Sequence, residues 1–151
     1  MTGQMCVTLA NRLPEIGRLA GLIDTFGNAH GLSAEVMVHL NLSLDEVLTN
    51  VIAYGYDHDA AHDVVVRIRL DGDRVWAEVE DDGRAFNPLE IAPPDIPAGL
   101  DRKGVGGLGV YLVRSLMDTV EYRRERERNV FTMSKRHAGG AYPGTMTSRG
   151  R

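Results

Sequence analysis

The sequence predicts an α+β fold: a two-layer α/β sandwich whose mixed, mostly antiparallel sheet carries helices on one face. Three observations predict it. Four apolar-alternating segments come as two neighbouring pairs joined by short turns, the arrangement that pairs strands antiparallel. Three other segments repeat their apolar residues at helical spacing. The order strand, helix, helix, two strands, long loop, helix, two strands then gives the helices a single sheet face to cover. At 151 residues the chain has the length of one domain with a real core.

Each element has a local reason. Residues 5–9 alternate, with Met5, Val7 and Leu9 on one side. Pro14 suits the first turn of a helix, where its missing N–H costs nothing, and Ile16, Leu19, Ala20, Ile23 and Phe26 recur at helical spacing up to Gly31. Ser33 is the expected N-cap of a second helix running to Tyr54, striped by Val36, Leu40, Leu44, Val47, Leu48 and Val51 and ended by Gly55. Residues 64–70 and 75–80 alternate on either side of an Asp71-Gly72-Asp73 hairpin turn. From Asp81 to Gly107 the chain holds five glycines and four prolines, and no regular element fits. A segment of that length in a small domain is expected to be a lid or binding loop. A helix over 108–117 and strands over 119–124 and 130–135 complete the domain, assigned to residues 1–137. Residues 138–151, rich in Gly, Ser, Thr and Pro, read as a disordered tail. Trp76, within an alternating strand, reads as core.

Composition narrows the function. With 43% apolar and 25% charged residues the chain is of ordinary globular type. No run of eighteen apolar residues and no secretory leader is visible, which points to the cytoplasm. One cysteine, Cys6, excludes an internal disulfide and a cysteine-built metal site. A net charge of −4 argues against a general nucleic-acid binder. The basic run at Arg123, Arg124, Arg126 and Arg128 is interleaved with Glu121, Glu125 and Glu127 and reads as a solvated strand pair and turn.

Chemistry concentrates in three places. On the second helix His39, Ser43, Glu46 and Asn50 fall at i, i+4, i+7 and i+11, one face. Glu46 and Asn50, one turn apart, are able to hold a hard cation or a water on it, and Glu46 to take a proton from an attacking hydroxyl. A plain solvated face explains the same pattern. Asp81, at a strand end before Asp82 and Gly83, is placed to accept a hydrogen bond from an exocyclic amine, which selects adenine over guanine; an ordinary Asp-Asp-Gly turn is the competing explanation. In G104-V105-G106-G107-L108-G109 four glycines open a helix, letting backbone N–H groups approach an anion. The spacing is neither the dinucleotide fingerprint nor a Walker loop.

Taken in this order, the motifs resemble a known family. The stretch from Leu44 to Tyr56 is similar to the N-box of GHKL ATP-binding domains, and D-D-G-R-A-F-N-P (81–88) and G-G-L-G-V-Y-L-V-R-S-L-M-D (106–118) are similar to its two glycine boxes. The nearest branch is the bacterial anti-sigma-factor serine/threonine kinases, and the likeness runs over residues 5–136. It implies a Bergerat-type sandwich with ATP and Mg²⁺ as cofactors. It implies Glu46 as general base, Asn50 as Mg²⁺ ligand, and Asp81 with Gly83 as the adenine site. Gly107, Leu108 and Gly109 become the phosphate end of the lid, and Lys103 just before them either contacts phosphate or is a solvated lysine. Family members phosphorylate an anti-sigma-factor antagonist and sequester a sigma factor, commonly as dimers. The family's last strand usually begins Gly-Thr; here it reads E127-R128-N129-V130-F131-T132, with Asn129 standing in part for that pair.

Two functions follow as expectations. One is an ATP-dependent protein serine/threonine kinase acting on an antagonist protein in a sigma-factor partner switch. The other is a non-catalytic partner-switching module of the same fold, to which nucleotide is structural or irrelevant. Glu46 favours the kinase, since a pure binder needs no base. A catalytic domain cut from a sensor histidine kinase fits less well, because no helix with a phosphoacceptor histidine and a dimerisation heptad precedes the first strand.

Overall fold

Alternation builds the sheet. In a computed structural model, which describes residues 2–57, 60–90 and 108–137, strand β3 (Arg74–Asp81) buries Val75, Ala77, Val79 and Asp81 and leaves the residues between them half-exposed. Side chains of a strand point alternately to either face, so one face of β3 lies on the core. The full order is β1 (Thr2–Ala10), α1 (Pro14–Ala29), α2 (Ala34–Tyr54), β2 (Asp63–Asp71), β3, a 3₁₀ turn (Pro88–Glu90), α3 (Leu108–Leu116), β4 (Thr119–Glu125) and β5 (Arg128–Arg136). The five strands are hydrogen-bonded in the order β1-β2-β3-β5-β4, every pair antiparallel. The mostly antiparallel sheet expected from the sequence is therefore wholly antiparallel among the described residues.

The caps follow the residues. Ser33, extended at φ −70°, ψ 158°, accepts the Val36 N–H on its side chain at 3.1 Å and starts α2, a cap typically worth about 1 kcal/mol. Gly72 turns the β2–β3 hairpin with φ 62°, a conformation that only glycine adopts without strain. The β4–β5 hairpin turns at Arg126 and Glu127 with φ 52° and 64°, although neither is glycine. Lys135 Nζ donates to the Leu116 carbonyl at the C-terminal end of α3, satisfying one of that helix's orphan acceptors. The long segment after Asp81, expected to lack regular structure, shows one 3₁₀ turn in its described part; residues 91–107, and the tail at 138–151, lie outside the described residues.

The core lies between one sheet face and the helices. Leu40, Leu44, Val47 and Leu48 of α2 meet Val66, Ile68, Val79, Phe131 and Met133 of the sheet, with Leu19, Ile23 and Val113 from the other two helices. The opposite face has no cover among the described residues and carries a charged mesh: Arg67 bridges Glu78 at 2.7 Å and Glu80 at 2.8 Å, and Arg128 pairs with Glu80. Trp76 belongs to that outer face, half-buried with the Arg69 guanidinium 5.3 Å from its ring centre, and not to the core as its strand suggested. In β3 the odd-numbered residues face the helices, so the even-numbered Trp76 cannot. No described helix is long and apolar enough to cross a membrane.

Candidate nucleotide site

The C-terminal end of α2 and the exit of β3 are tied by backbone. Gly55, the C-cap of α2, donates its N–H to the Val51 carbonyl at 2.8 Å and accepts the Arg84 N–H at 2.9 Å. Gly83 passes so near Gly55 that a Cβ there would stand 2.5 Å from the Gly55 oxygen. The glycine after Asp81 is thus demanded by a backbone-to-backbone approach. The consequence is that the last turn of α2 and the end of β3 wall one pocket.

That pocket is a mostly apolar slot. Val47, Val51, Val79, Phe86, Tyr122 and Phe131 supply apolar wall, and Asn50, Asp81, Arg84 and Asn129 the polar groups. A few polar groups set in an apolar cleft is the ordinary make-up of a small-molecule site. Asp81, 3% exposed, accepts the Gly83 N–H at 2.8 Å and the Asn129 side-chain N–H at 3.0 Å, both on Oδ1. Burial pushes its carboxyl above the usual range, against the lowering effect of those two hydrogen bonds. Arg84 reaches outward to an ion pair with Asp57, and the Tyr54 and Phe86 rings, tilted by 36°, lie 5.8 Å apart centre to centre beside the slot.

Glu46 lies one turn before Asn50 on α2, beside the pocket wall and against Gly109 of α3. A Cβ on Gly109 would overlap the Glu46 carboxylate and stand 3.3 Å from the Glu46 Cβ. Burial, with a smaller contribution from neighbouring Asp45, raises the Glu46 pKa above the ordinary value of 4.5. Such a shift moves a carboxylate towards the range in which it works as a base.

The structure brings Asn50 and Asp81 together in one pocket, with Gly83 in the turn below Asp81 and Glu46 a helical turn away against Gly109. Leu108 begins α3; Lys103 and Gly107 lie outside the described residues. The face written as His39, Ser43, Glu46 and Asn50 divides. Ser43 is fully buried and its Oγ has no described hydrogen-bond partner. Of the four, only Asn50 lines the pocket, with Glu46 one turn away. Sequence reasoning missed Arg84, Phe86, Tyr122 and Phe131. The first two stand inside the quoted glycine box, and their signal was position after a strand end. Tyr122 and Phe131 sit directly opposite each other across β4 and β5, and only strand pairing reveals that.

The fold and this pocket define a histidine kinase-like ATPase domain. The description of that family matches residues 9–135, and the chain belongs to it. Among its relatives, serine-protein kinase RsbW of Listeria monocytogenes is 26% identical over 110 residues, covering 70% of this chain and 69% of the relative. Serine/threonine-protein kinase BtrW of Bordetella bronchiseptica is 29% identical over 108 residues, 70% of this chain and 75% of the relative. Among solved structures, the RsbU and RsbW domains of Rv1364c from Mycobacterium tuberculosis match with a TM-score of 0.68 over 96% of this chain at 16% identity. This chain spans 34% of the length of that one, and the likeness speaks for the fold.

Proposed function

We propose that the chain binds ATP with Mg²⁺ in this pocket and acts as a serine/threonine protein kinase on an anti-sigma-factor antagonist, controlling a sigma factor by partner switching as a cytoplasmic homodimer. The observation that carries the reading is one arrangement of three side chains: Asn50 and Asp81 wall one pocket, and Glu46, with its raised pKa, lies one turn from Asn50. The kinase names of its relatives point the same way.

The donor set suits magnesium carried by a nucleotide. No cluster of three His, Cys, Asp or Glu able to hold a metal occurs among the described residues. Mg²⁺ takes few protein oxygens and otherwise phosphate oxygens and water, so the single amide oxygen of Asn50 is an adequate protein ligand. Bound there, the ion supplies neutralisation of phosphate charge. The protein's own residues do the rest. Val47, Val51, Val79 and Phe131 take the base out of water, and the second oxygen of Asp81 accepts an N–H from the adenine exocyclic amine. Glu46 orients the acceptor hydroxyl and receives its proton. Gly107, Leu108 and Gly109, with Lys103, take the phosphates at the N-terminus of α3, where free N–H groups and the helix dipole favour anions. Catalysis of this kind is chiefly positioning and charge stabilisation.

Calorimetric titration of ATP-Mg²⁺ into wild type and Asn50→Ala tests the site, and transfer of labelled phosphate to an antagonist protein tests the activity. Magnesium-dependent binding lost in the variant, with transfer by the wild type, is the expected pair of results. Identical isotherms remove the metal role, and absence of transfer to a genuine partner removes the kinase.

A further inference from the structure

We propose that Asn129 sets the base specificity of the pocket, by holding Asp81 as a pure hydrogen-bond acceptor with one carboxylate oxygen left for the base. The inference rests on the ATP-site reading above and concerns a residue at which this chain departs from the pattern it resembles.

Asn129 stands directly opposite Asp81 in the β3–β5 ladder and is 6% exposed. Its Nδ2 donates to Asp81 Oδ1 at 3.0 Å and to the Arg84 carbonyl at 2.8 Å. Its Oδ1 accepts from Arg124 Nη1 at 3.1 Å, from the Phe86 N–H at 3.4 Å and from the Tyr122 hydroxyl. Both ends of the amide are therefore committed. A flipped amide would set oxygen against a carboxylate and a carbonyl, and NH₂ against a guanidinium and a backbone N–H. The surroundings allow one orientation only.

This orientation fixes what Asp81 offers to a ligand. Several charged or titratable groups face Asp81. Asp82 is next in the chain, Arg124 comes from β4, Tyr56 lies beyond the end of α2, and Arg84 and Tyr122 line the same pocket. Among the described groups only the Gly83 N–H and the Asn129 amide donate to Asp81, and both use Oδ1. The two donated hydrogen bonds favour the charged, acceptor-only form, against the burial that raises the Asp81 pKa. Its remaining oxygen pairs with an amino group at the purine 6-position and is repelled by a keto group there. A protonated Asp81 would donate instead and accommodate the keto base. Asn129 thus acts on the nucleotide through Asp81, as a positioning residue.

The test is calorimetric titration of the full chain with ATP-Mg²⁺ and GTP-Mg²⁺ over a range of pH from mildly acid to mildly alkaline. Wild type is expected to favour ATP by at least about tenfold across that range, the discrimination of a site whose polar group is left unpaired by the wrong ligand. Asn129→Thr keeps a donor towards Asp81 and retains the preference. Asn129→Val, equal in shape to threonine but without the hydroxyl, reduces it to within about threefold, since only the hydrogen bond differs. Asn129→Asp, two carboxylates sharing a proton, makes the preference shrink as pH falls. Urea melts identify variants that fold, and if the valine variant does not, the pH profile of the aspartate variant decides. Equal ATP-to-GTP ratios in the threonine and valine variants, or a flat profile in the aspartate variant, overturn the role of Asn129. A wild-type chain that binds neither nucleotide overturns the ATP-site reading, and this inference with it.

Discussion

Gly109, the second residue of α3, lies against the carboxylate of Glu46, so that any side chain at 109 would occupy the place of Oε1. The first turn of α3 therefore rests on the candidate base. Relief of this clash falls on the end of a flexible side chain, so Gly109→Ala is expected to displace the Glu46 carboxylate and leave the fold nearly intact. Phosphotransfer should drop by about tenfold or more, because small misplacements of a reacting group are costly, while the thermal midpoint moves by a few degrees at most. Single-turnover rates beside a melting curve check this. An unchanged rate would show that the Glu46 position does not matter.

The opposite outcome is expected at Gly83. There the obstacle to a Cβ is the Gly55 carbonyl, 2.5 Å away, which is backbone and also holds the Arg84 N–H. Gly83→Ala should destabilise by about 1–3 kcal/mol, the usual range for overpacking, as read from urea melts. Nucleotide affinity should fall with it, because the same contact joins α2 to β3. A variant as stable as wild type would mean that the turn opens at no cost.

Glu46 also makes a pH prediction. Burial raises its pKa above 4.5, so the proton-accepting form is lost as pH falls through a value higher than that of a free glutamate. The rate of phosphotransfer should decline on the acid side at that elevated pKa, and Glu46→Gln should abolish the limb while lowering the rate by roughly 10²–10⁴, the contribution typical of a general base. ATP affinity of the glutamine variant should stay within about threefold of wild type, since Glu46 is assigned the acceptor hydroxyl and no contact with the nucleotide. A glutamine variant with full activity removes Glu46 from the mechanism.

Asp81 trades stability for recognition. Its folded-state pKa lies above its unfolded one because burial penalises the charge. For a carboxyl group so shifted, stability is greatest at low pH and declines as pH rises through the folded pKa. Asp81→Asn keeps an oxygen for the Gly83 and Asn129 donors and removes the buried charge. It should raise the thermal midpoint of the nucleotide-free protein at pH 7 by about 2–4 °C, the shift that 1 kcal/mol gives at this size, with the gain vanishing in acid. ATP binding should weaken by at least about tenfold, because a donor now faces the exocyclic amine. A lower midpoint at neutral pH contradicts the cost assigned to the charge.

Much of this architecture is legible from local chemistry. Ser33, Gly55 and Gly72 mark two ends of a helix and a hairpin by residue type alone, and Glu46, Asn50 and Asp81 are recognisable by spacing and by their place at the end of an element. Trp76 shows what alternation leaves open: a period of two divides a strand into two faces without saying which is covered, and in a two-layer fold one is not. Ser43 was hidden for a related reason, since helical spacing gives a face but not how much of it is covered. Asn129 could be suspected only from a missing Gly-Thr, because its role depends on β5 lying between β3 and β4, a pairing not written in the neighbouring sequence.

The β4–β5 turn carries strain that function does not explain. Arg126 and Glu127 both adopt positive φ, both are exposed, and neither makes a described side-chain hydrogen bond or ion pair. Two-residue hairpins of this hand prefer Asn-Gly, because bulky L-residues pay for the left-handed conformation. The double substitution Arg126→Asn, Glu127→Gly should therefore stabilise the protein by about 1–2 kcal/mol, visible as a higher urea midpoint at constant m value. Asn129 lies two residues beyond the turn, so the substitution also tests how local the strain is. An unchanged nucleotide affinity with the higher midpoint confines it to the hairpin, whereas a changed affinity would mean that the turn presses on the Asp81–Asn129 pair and that part of the binding geometry is set by two residues with no contact to the pocket.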